Sequence, residues 1–371
     1  MELFKEEYTI FPTAYNEILQ RVRSIDPIKY GSTRNYINGA MTYLSPYISR
    51  GVISTSFILQ EVLKKGYKPD QIEKFIQELA WRDYWQQVWI NKKNLINNDL
   101  KHTQKSVSNH SISKVIVEAK TGIIAIDNAV NELYKTGYMH NHLRMYIASL
   151  SCNIAQSHWK IPAQWMYYHL LDADWASNAL NWQWVAGANS NKKYFANQNN
   201  INRFCFTDQK ETFLDVPYED FIALEIPEVL KKYDSIVLKT PLPNQEHLEI
   251  DSALPSCIYN IYNLDPLWRK DDTINRILLL EPSHFESYPI SQKTIDFIIK
   301  LAKDNINNIQ IYVGEFNALV SEYKLNSLIF KEHPLNTHYK GTEDTRDWMF
   351  EVNGYFPSFF SFWKKCEKQL R

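Results

Sequence analysis

The residues best suited to chemistry lie between positions 137 and 184. Gly137-Tyr138-Met139-His140-Asn141-His142-Leu143-Arg144-Met145 is followed by Leu171-Asp172-Ala173-Asp174-Trp175-Ala176-Ser177-Asn178 and by Trp182-Gln183-Trp184. An arginine, two carboxylates, amides and indoles are what a flat, redox-active aromatic cofactor needs around it. Reduction puts negative charge on such a ring. An arginine stabilises that charge, a lone carboxylate does not, and Arg144 paired with Asp172 balances it in a dry site. A second set is Glu78, Trp81 and Arg82. Spacing i, i+3, i+4 puts them on one helical face. A ring that stacks and an acid that bonds to a base edge suit a flipped, uncharged base pair. An ordinary helix salt bridge beside a core indole has the same pattern. Finally, Thr42 and Leu44-Ser45-Pro46 offer hydroxyls and backbone N–H groups at a helix start, as a diphosphate requires.

Other chemistries find little support. There is no Gly-x-Gly-x-x-Gly and no Walker-type glycine loop. Val313-Gly314-Glu315-Phe316 reads as an ordinary strand-to-helix turn. His140, His142, His158 and His169 form no His-Glu-x-x-His, and no metal site is expected. Nor is there a Gly-x-Ser-x-Gly elbow. Cys152, Cys205, Cys257 and Cys366 lie far apart and read as free thiols of a reducing compartment. The formal net charge of -1 argues neither for nor against nucleic acid, but it hides an asymmetry. Residues 1–200 carry 22 Lys and Arg against 16 Asp and Glu, the remainder 19 against 26. The first half therefore offers a mildly basic face for phosphates. No apolar run is long enough to span a membrane, and the start of the chain has no signal-peptide pattern, so a soluble, cytoplasmic protein is expected.

The elements that must position these groups change character along the chain. Residues 1–204 read as helices. Ile72, Phe75, Ile76 and Leu79 recur at helical spacing, followed by Trp81, Trp85 and Trp89 at four-residue steps. Further helices are expected over 123–134, over 141–156, and from Pro162 to Leu171, while 175–184 looks less regular. The segments 90–113 and 189–202 are polar and read as irregular. Residues 205–270, with Pro217, Pro227, Pro241, Pro243, Pro255 and Pro266, read as a connecting and wrapping region. Residues 271–371 then predict strands at 276–280, 309–313 and 325–330. Helices at 295–302 and 318–323 alternate with them, and a closing helix follows at 357–370. That alternation makes a small parallel α/β domain.

Several blocks together resemble the flavin-binding core of DNA photolyases and cryptochromes. They are Tyr30…Arg34-Asn35, Thr42-Tyr43-Leu44-Ser45-Pro46-Tyr47 ending at Gly51, and Glu78-Leu79-Ala80-Trp81-Arg82-Asp83-Tyr84. Lys120-Thr121-Gly122, Met139-His140-Asn141-x-x-Arg144-Met145, Trp159 and Asp172-x-Asp174-x-x-x-Asn178 through Trp184 continue the match. The resemblance covers about residues 30–195. It implies an all-helical FAD-binding domain followed by the small C-terminal α/β domain, with FAD as cofactor. It also implies roles. Tyr30, Thr42, Leu44 and Ser45 would meet the diphosphate end, with Arg82 joining the cofactor set. Arg144 and Asp172 would lie over the isoalloxazine, Asp174 at its pyrimidine edge and Asn178 at N5. Glu78, Trp81, Asn141, Met145 and Trp184 match positions lining the lesion pocket, and Trp182 and Trp159 the two inner members of an electron relay. Damaged DNA is the partner so implied.

The departures have consequences of their own. His142 and Ala196 stand where arginines are common, which lowers the expected DNA affinity. Ala179-Leu180-Asn181 replaces Asn-Gly-Gly, and residues 90–115 hold no tryptophan to serve as the outer relay. The α/β unit follows the flavin domain instead of preceding it, and no folate or deazaflavin antenna is expected. Three readings stand: light-driven repair of pyrimidine lesions, a cryptochrome-like sensor without repair, and an FAD redox protein without photochemistry.

Overall fold

The computed structural model describes residues 11–370. The start of the chain, for which no signal peptide is expected, lies outside them. Among the described residues eleven α-helices build the first unit: α1 Tyr15–Arg23, α2 Pro27–Thr33, α3 Ser45–Ser49, α4 Thr55–Leu63, α5 Glu73–Lys92, α6 Lys114–Val117, α7 Ile124–Thr136, α8 Asn141–Ser149, α9 Lys160–His169, α10 Trp175–Ala186 and α11 Gln198–Cys205. A short antiparallel pair, β1 Ile112–Ser113 with β2 Tyr233–Asp234, ties the connecting region to it.

Two segments read as irregular are regular helices. α10 is continuous, because the Asp174 side chain accepts the Ser177 N–H at its start and left-handed Gly187 closes its end. α11 arises from an asparagine-rich stretch in which Asn197 caps the helix and Ile201 and Cys205 turn inward. α9 begins at Lys160, so Pro162 sits inside the first turn, where its missing N–H costs nothing.

The second unit is a five-stranded parallel sheet. Its strands are β3 Ser256–Tyr259, β4 Asn275–Leu280, β5 Ile309–Val313, β6 Leu328–Lys331 and β7 Thr342–Asp344, in the order β5-β4-β3-β6-β7. Helices α12 Pro282–Ser287, α13 Gln292–Asn305 and α14 Phe316–Glu322 connect strands, and α15 Phe359–Cys366 closes the chain. The boundary expected at residue 271 is too late. β3 lies inside the proline-rich region, yet it is the central strand, fully buried and paired to β4 and β6. β7 was not expected at all. The burial of every β3 and β4 residue is what a parallel sheet covered on both faces requires.

Strand order reverses between β3 and β6, and the loops after them carry Tyr262 and His333, stacked at 4.2 Å and 9°. These loops pack on the helical unit. Gly51 there has φ +66, and a Cβ would come within 2.4 Å of the Tyr262 carbonyl oxygen, so glycine permits the approach. One apolar core runs from Phe11 to Cys366 through both units. A smaller one, around Ile258, Ile277 and Phe316, fills the sheet's other face.

Candidate functional site

Every residue to which the resemblance gives a cofactor, lesion-pocket or relay role, except Trp159, lines one cavity of about 700 Å³ in the helical unit. α5 supplies one wall. Arg34 Nε donates to Glu78 Oε1 at 2.9 Å, and Arg82 Nη1 to Ser49 Oγ at 3.1 Å. The Trp81 ring is stacked on Phe359 of α15, centroids 3.9 Å apart and planes 10° from parallel, with Trp85 tilted at 5.1 Å.

α8 supplies the guanidinium. Arg144 Nε donates to the Met139 carbonyl at 2.8 Å, and Nη2 to both oxygens of Asp172 at 3.0 Å. Burial raises the Asp172 carboxyl, but Arg144, Arg82 and the Ser45 hydroxyl outweigh it and hold it below the ordinary carboxylate value. The loop bearing Asp172 is fixed from two sides. Gly137, left-handed at the end of α7, accepts the Leu171 N–H at 2.8 Å, and a Cβ there would strike Leu171 Cγ at 2.6 Å. Arg50, fully buried, donates to the carbonyls of Leu171 and Ala173 at 3.1 and 2.8 Å and to that of Ile261 at 3.3 Å.

α10 completes the cavity. Asp174 accepts from Gln86 Nε2 as well as capping the helix. Asn178 Nδ2 donates to the Ala163 carbonyl at 2.8 Å, which fixes its amide plane. Trp182 is 2% exposed, whereas Trp184 is 39% exposed at the rim. Trp159 is fully buried and does not line the cavity. His142 Nδ1 donates to the Asn35 carbonyl at 2.9 Å, between the rings of Tyr146 and Phe204. Two contributors had no signal in sequence: Arg50 and Phe359. Both act across long chain separations. A smaller cavity, about 220 Å³, lies between Arg82, Asp174 and the loops after β3 and β6. Among the described residues no group of three or more His, Cys, Asp or Glu is placed to hold a metal, and no helix is long and apolar enough to cross a membrane.

α8 has an acid-sensitive cap. The His140 side chain accepts the His142 N–H at 3.2 Å. Burial first, then His142 and Arg144, lowers its imidazole from 6.5 to about 4. A depressed folded value means that its contribution is complete above pH 6.5 and lost as pH falls through 4. The loss amounts to about 3 kcal/mol at 1.36 kcal/mol per unit. His140→Asn keeps a capping acceptor and removes the titration. Its denaturant midpoints should therefore fall less steeply than the parent's between pH 6.5 and 4, and parallel profiles would discard the assignment.

Comparison with known proteins adds the following. The model of the FAD-binding domain of DNA photolyase matches residues 75–262. A deoxyribodipyrimidine photo-lyase of Agrobacterium fabrum is 27% identical over 183 residues, 46% of this chain and 38% of that protein. A chloroplastic/mitochondrial cryptochrome DASH of Solanum lycopersicum is 31% identical over 211 residues, 54% of this chain and 35% of that one. The crystal structure of a Synechocystis cryptochrome is 28% identical, covers 53% of this chain and 44% of its own, and superposes with a TM-score of 0.47. The chain thus spans well under two thirds of the length of these relatives.

Proposed function

Because the chain belongs to the photolyase/cryptochrome FAD-binding family, we propose that it is a light-driven flavoprotein that uses reduced FAD to split pyrimidine lesions in DNA. The chain carries the family's FAD-binding domain, with FAD as cofactor. When bound, FAD supplies light absorption and one-electron transfer. The residues present fit it. The cavity has the size of a small-molecule site and is lined by Met41, Ile58, Leu79 and Met166 as well as by the polar set. Thr42, Leu44 and Ser45 would meet the diphosphate, and Arg82 would add its charge. Arg144 and Asp172 would flank the ring system as a balanced pair, with Asp174 and Asn178 on its polar edge.

The observation that carries the reading is the Arg144–Asp172 ion pair inside this cavity, with Asn178 and Trp182 on the facing helix. Glu78, Trp81, Asn141, Met145 and Trp184 would receive the flipped lesion at the open side. Trp81 would stack on a base and Glu78 would bond to its edge. A second reading, a sensor without repair, is favoured by one contact: Phe359 already lies flat against Trp81.

Both readings are tested on an oligonucleotide with one defined dimer, using photoreduced protein. Under the repair reading, damaged DNA binds better than undamaged, the dimer is split in light, and Trp81→Ala costs about 1–3 kcal/mol of lesion affinity, the worth of one aromatic–base stack. Phe359→Ala should raise lesion affinity by uncovering that ring. Equal binding of damaged and undamaged DNA by both parent and Phe359→Ala, without splitting, would remove the lesion pocket and leave the sensor.

A further inference from the structure

Trp159 is fully buried, and its indole Nε1 donates to Asp99 Oδ1 at 2.7 Å. The same oxygen lies 3.2 Å from His158 Nε2, while Oδ2 accepts the Gln104 backbone N–H at 2.7 Å. Gln104 locks this arrangement. It accepts the Trp159 N–H and donates to the Ser157 carbonyl, each at 2.9 Å. The His158 ring in turn stacks on His110 at 5.0 Å and 25°, and His110 is exposed. An indole, a carboxylate and two imidazoles therefore lead from the interior to solvent. Burial lowers His158, against the pull of Asp99, so the imidazole stands neutral near pH 7, its Nε2–H toward Asp99 and its Nδ1 accepting the Lys160 N–H at 3.4 Å.

A neutral indole N–H is a very weak acid, but an indole that has lost an electron is a strong one. Here a base already holds the hydrogen bond. We propose that Asp99 is the catalytic base for oxidation of Trp159, which makes Trp159 the end of the electron relay. The electron would pass from Trp159 to the ring of Trp182 once light absorbed by bound FAD has drawn an electron from Trp182. The Trp159 Nε1–H bond breaks, the proton bonds to Asp99 Oδ1, and Trp159 remains as the neutral radical. One electron has moved inward and one proton outward, and Asp99, whose side chain is 18% exposed, releases that proton to water. A dissolved thiol later returns a hydrogen atom to Trp159. The electron cannot return to Trp159 as an intact indole until the proton is back, so the charge separation is held without a third tryptophan.

Asp99 lies within residues 90–115, the stretch that lacks the outer tryptophan. The neighbouring indole makes a useful contrast. Trp175 is 6.5 Å from Trp159, but its Nε1 donates to the amide oxygen of Asn97 at 2.6 Å, and an amide is no base.

The proposal rests on the flavin reading. Flash photolysis of the FAD-loaded protein should show the neutral tryptophanyl radical, distinguished from the cation by its absorption band, and its formation should slow in D₂O. Asp99→Asn keeps an acceptor for the indole but no base. In it the cation should persist, and the yield of long-lived radical should drop about a hundredfold, the lower end of what a positioned general base contributes. Asp99→Glu should restore part of that yield. In the flavin-free chain, the indole N–H resonance assigned through Trp159→Phe should shift in Asp99→Asn. A photoactive parent that forms only the cation, or with no isotope effect, overturns the proposal alone and needs no variant to fold. So does an indole resonance indifferent to Asp99. A folded chain that takes up no FAD overturns it together with the reading it rests on.

Discussion

Arg50→Ala should cost the fold about 3–5 kcal/mol and leave the purified protein without flavin. Arg50 is fully buried, yet it has no carboxylate partner among its hydrogen bonds. Its guanidinium is spent on three carbonyls, those of Leu171, Ala173 and Ile261, and its charge lies 5.7 Å over the Tyr262 ring. Truncation leaves three buried acceptors unsatisfied, each costing about 1 kcal/mol or somewhat more where the loops relax around them. It also removes the fork that joins the helical unit to the loop after β3. Leu171 and Ala173 flank Asp172, so the same loss releases the carboxylate that Arg144 must face. Arg50→Lys keeps the charge but not the planar fork, and should fall between the two. Urea unfolding and the flavin-to-protein absorbance ratio measure both effects. A variant within about 0.5 kcal/mol of the parent, the range of an ordinary surface change, would show that this arginine holds nothing together.

The legibility of the site followed chain distance. Arg144 and Asp172 could be paired before the structure only through the family resemblance, whose two motifs are short and lie close along the chain. α5 was legible for the same reason: its period of apolar residues is local. Arg50 was not, since its partners lie 121, 123 and 211 residues away and nothing near it signals them. Phe359 on Trp81 is a contact between the far end of the chain and α5. Asp99 escaped notice because its segment has no period. Its order comes from side-chain bonds to Gln104, His158 and Trp159 instead of from a helix or ladder. β3 was hidden by composition, as Pro255 immediately precedes four residues that need only the neighbours β4 and β6 to become a central strand. α11 was hidden by asparagines, which cap and face solvent while Ile201 and Cys205 carry the packing.

Light-driven reduction of bound FAD should fall to the level of the dark control in Trp182→Phe, with the flavin spectrum of the dark protein retained. Trp182 is the relay member that reaches the cavity, 2% exposed on the face of α10 that Trp175 shares one heptad earlier. Phenylalanine keeps an apolar ring at that position but gives up an electron far less readily than indole. The hole can then neither form beside the flavin nor move on to Trp159. The cofactor contacts argued above belong to Arg144, Asp172, Asp174 and Asn178, none of which the change touches. Binding and photoreduction should therefore separate in this variant, whereas in Arg50→Ala they should be lost together. Trp159→Phe should behave differently again: Trp182 is still oxidised by the excited flavin but recombines, so transient signals survive while stable reduction fails. Trp268→Phe, in the α/β unit with its indole bonded to Asp344, controls for removing any tryptophan. The measurement is the bleaching of the flavin band under blue light with an external thiol. An unchanged rate in Trp182→Phe would move electron entry to another ring of the cavity wall. Tyr43 and Tyr138, 5.2 Å apart, are the next donors to replace.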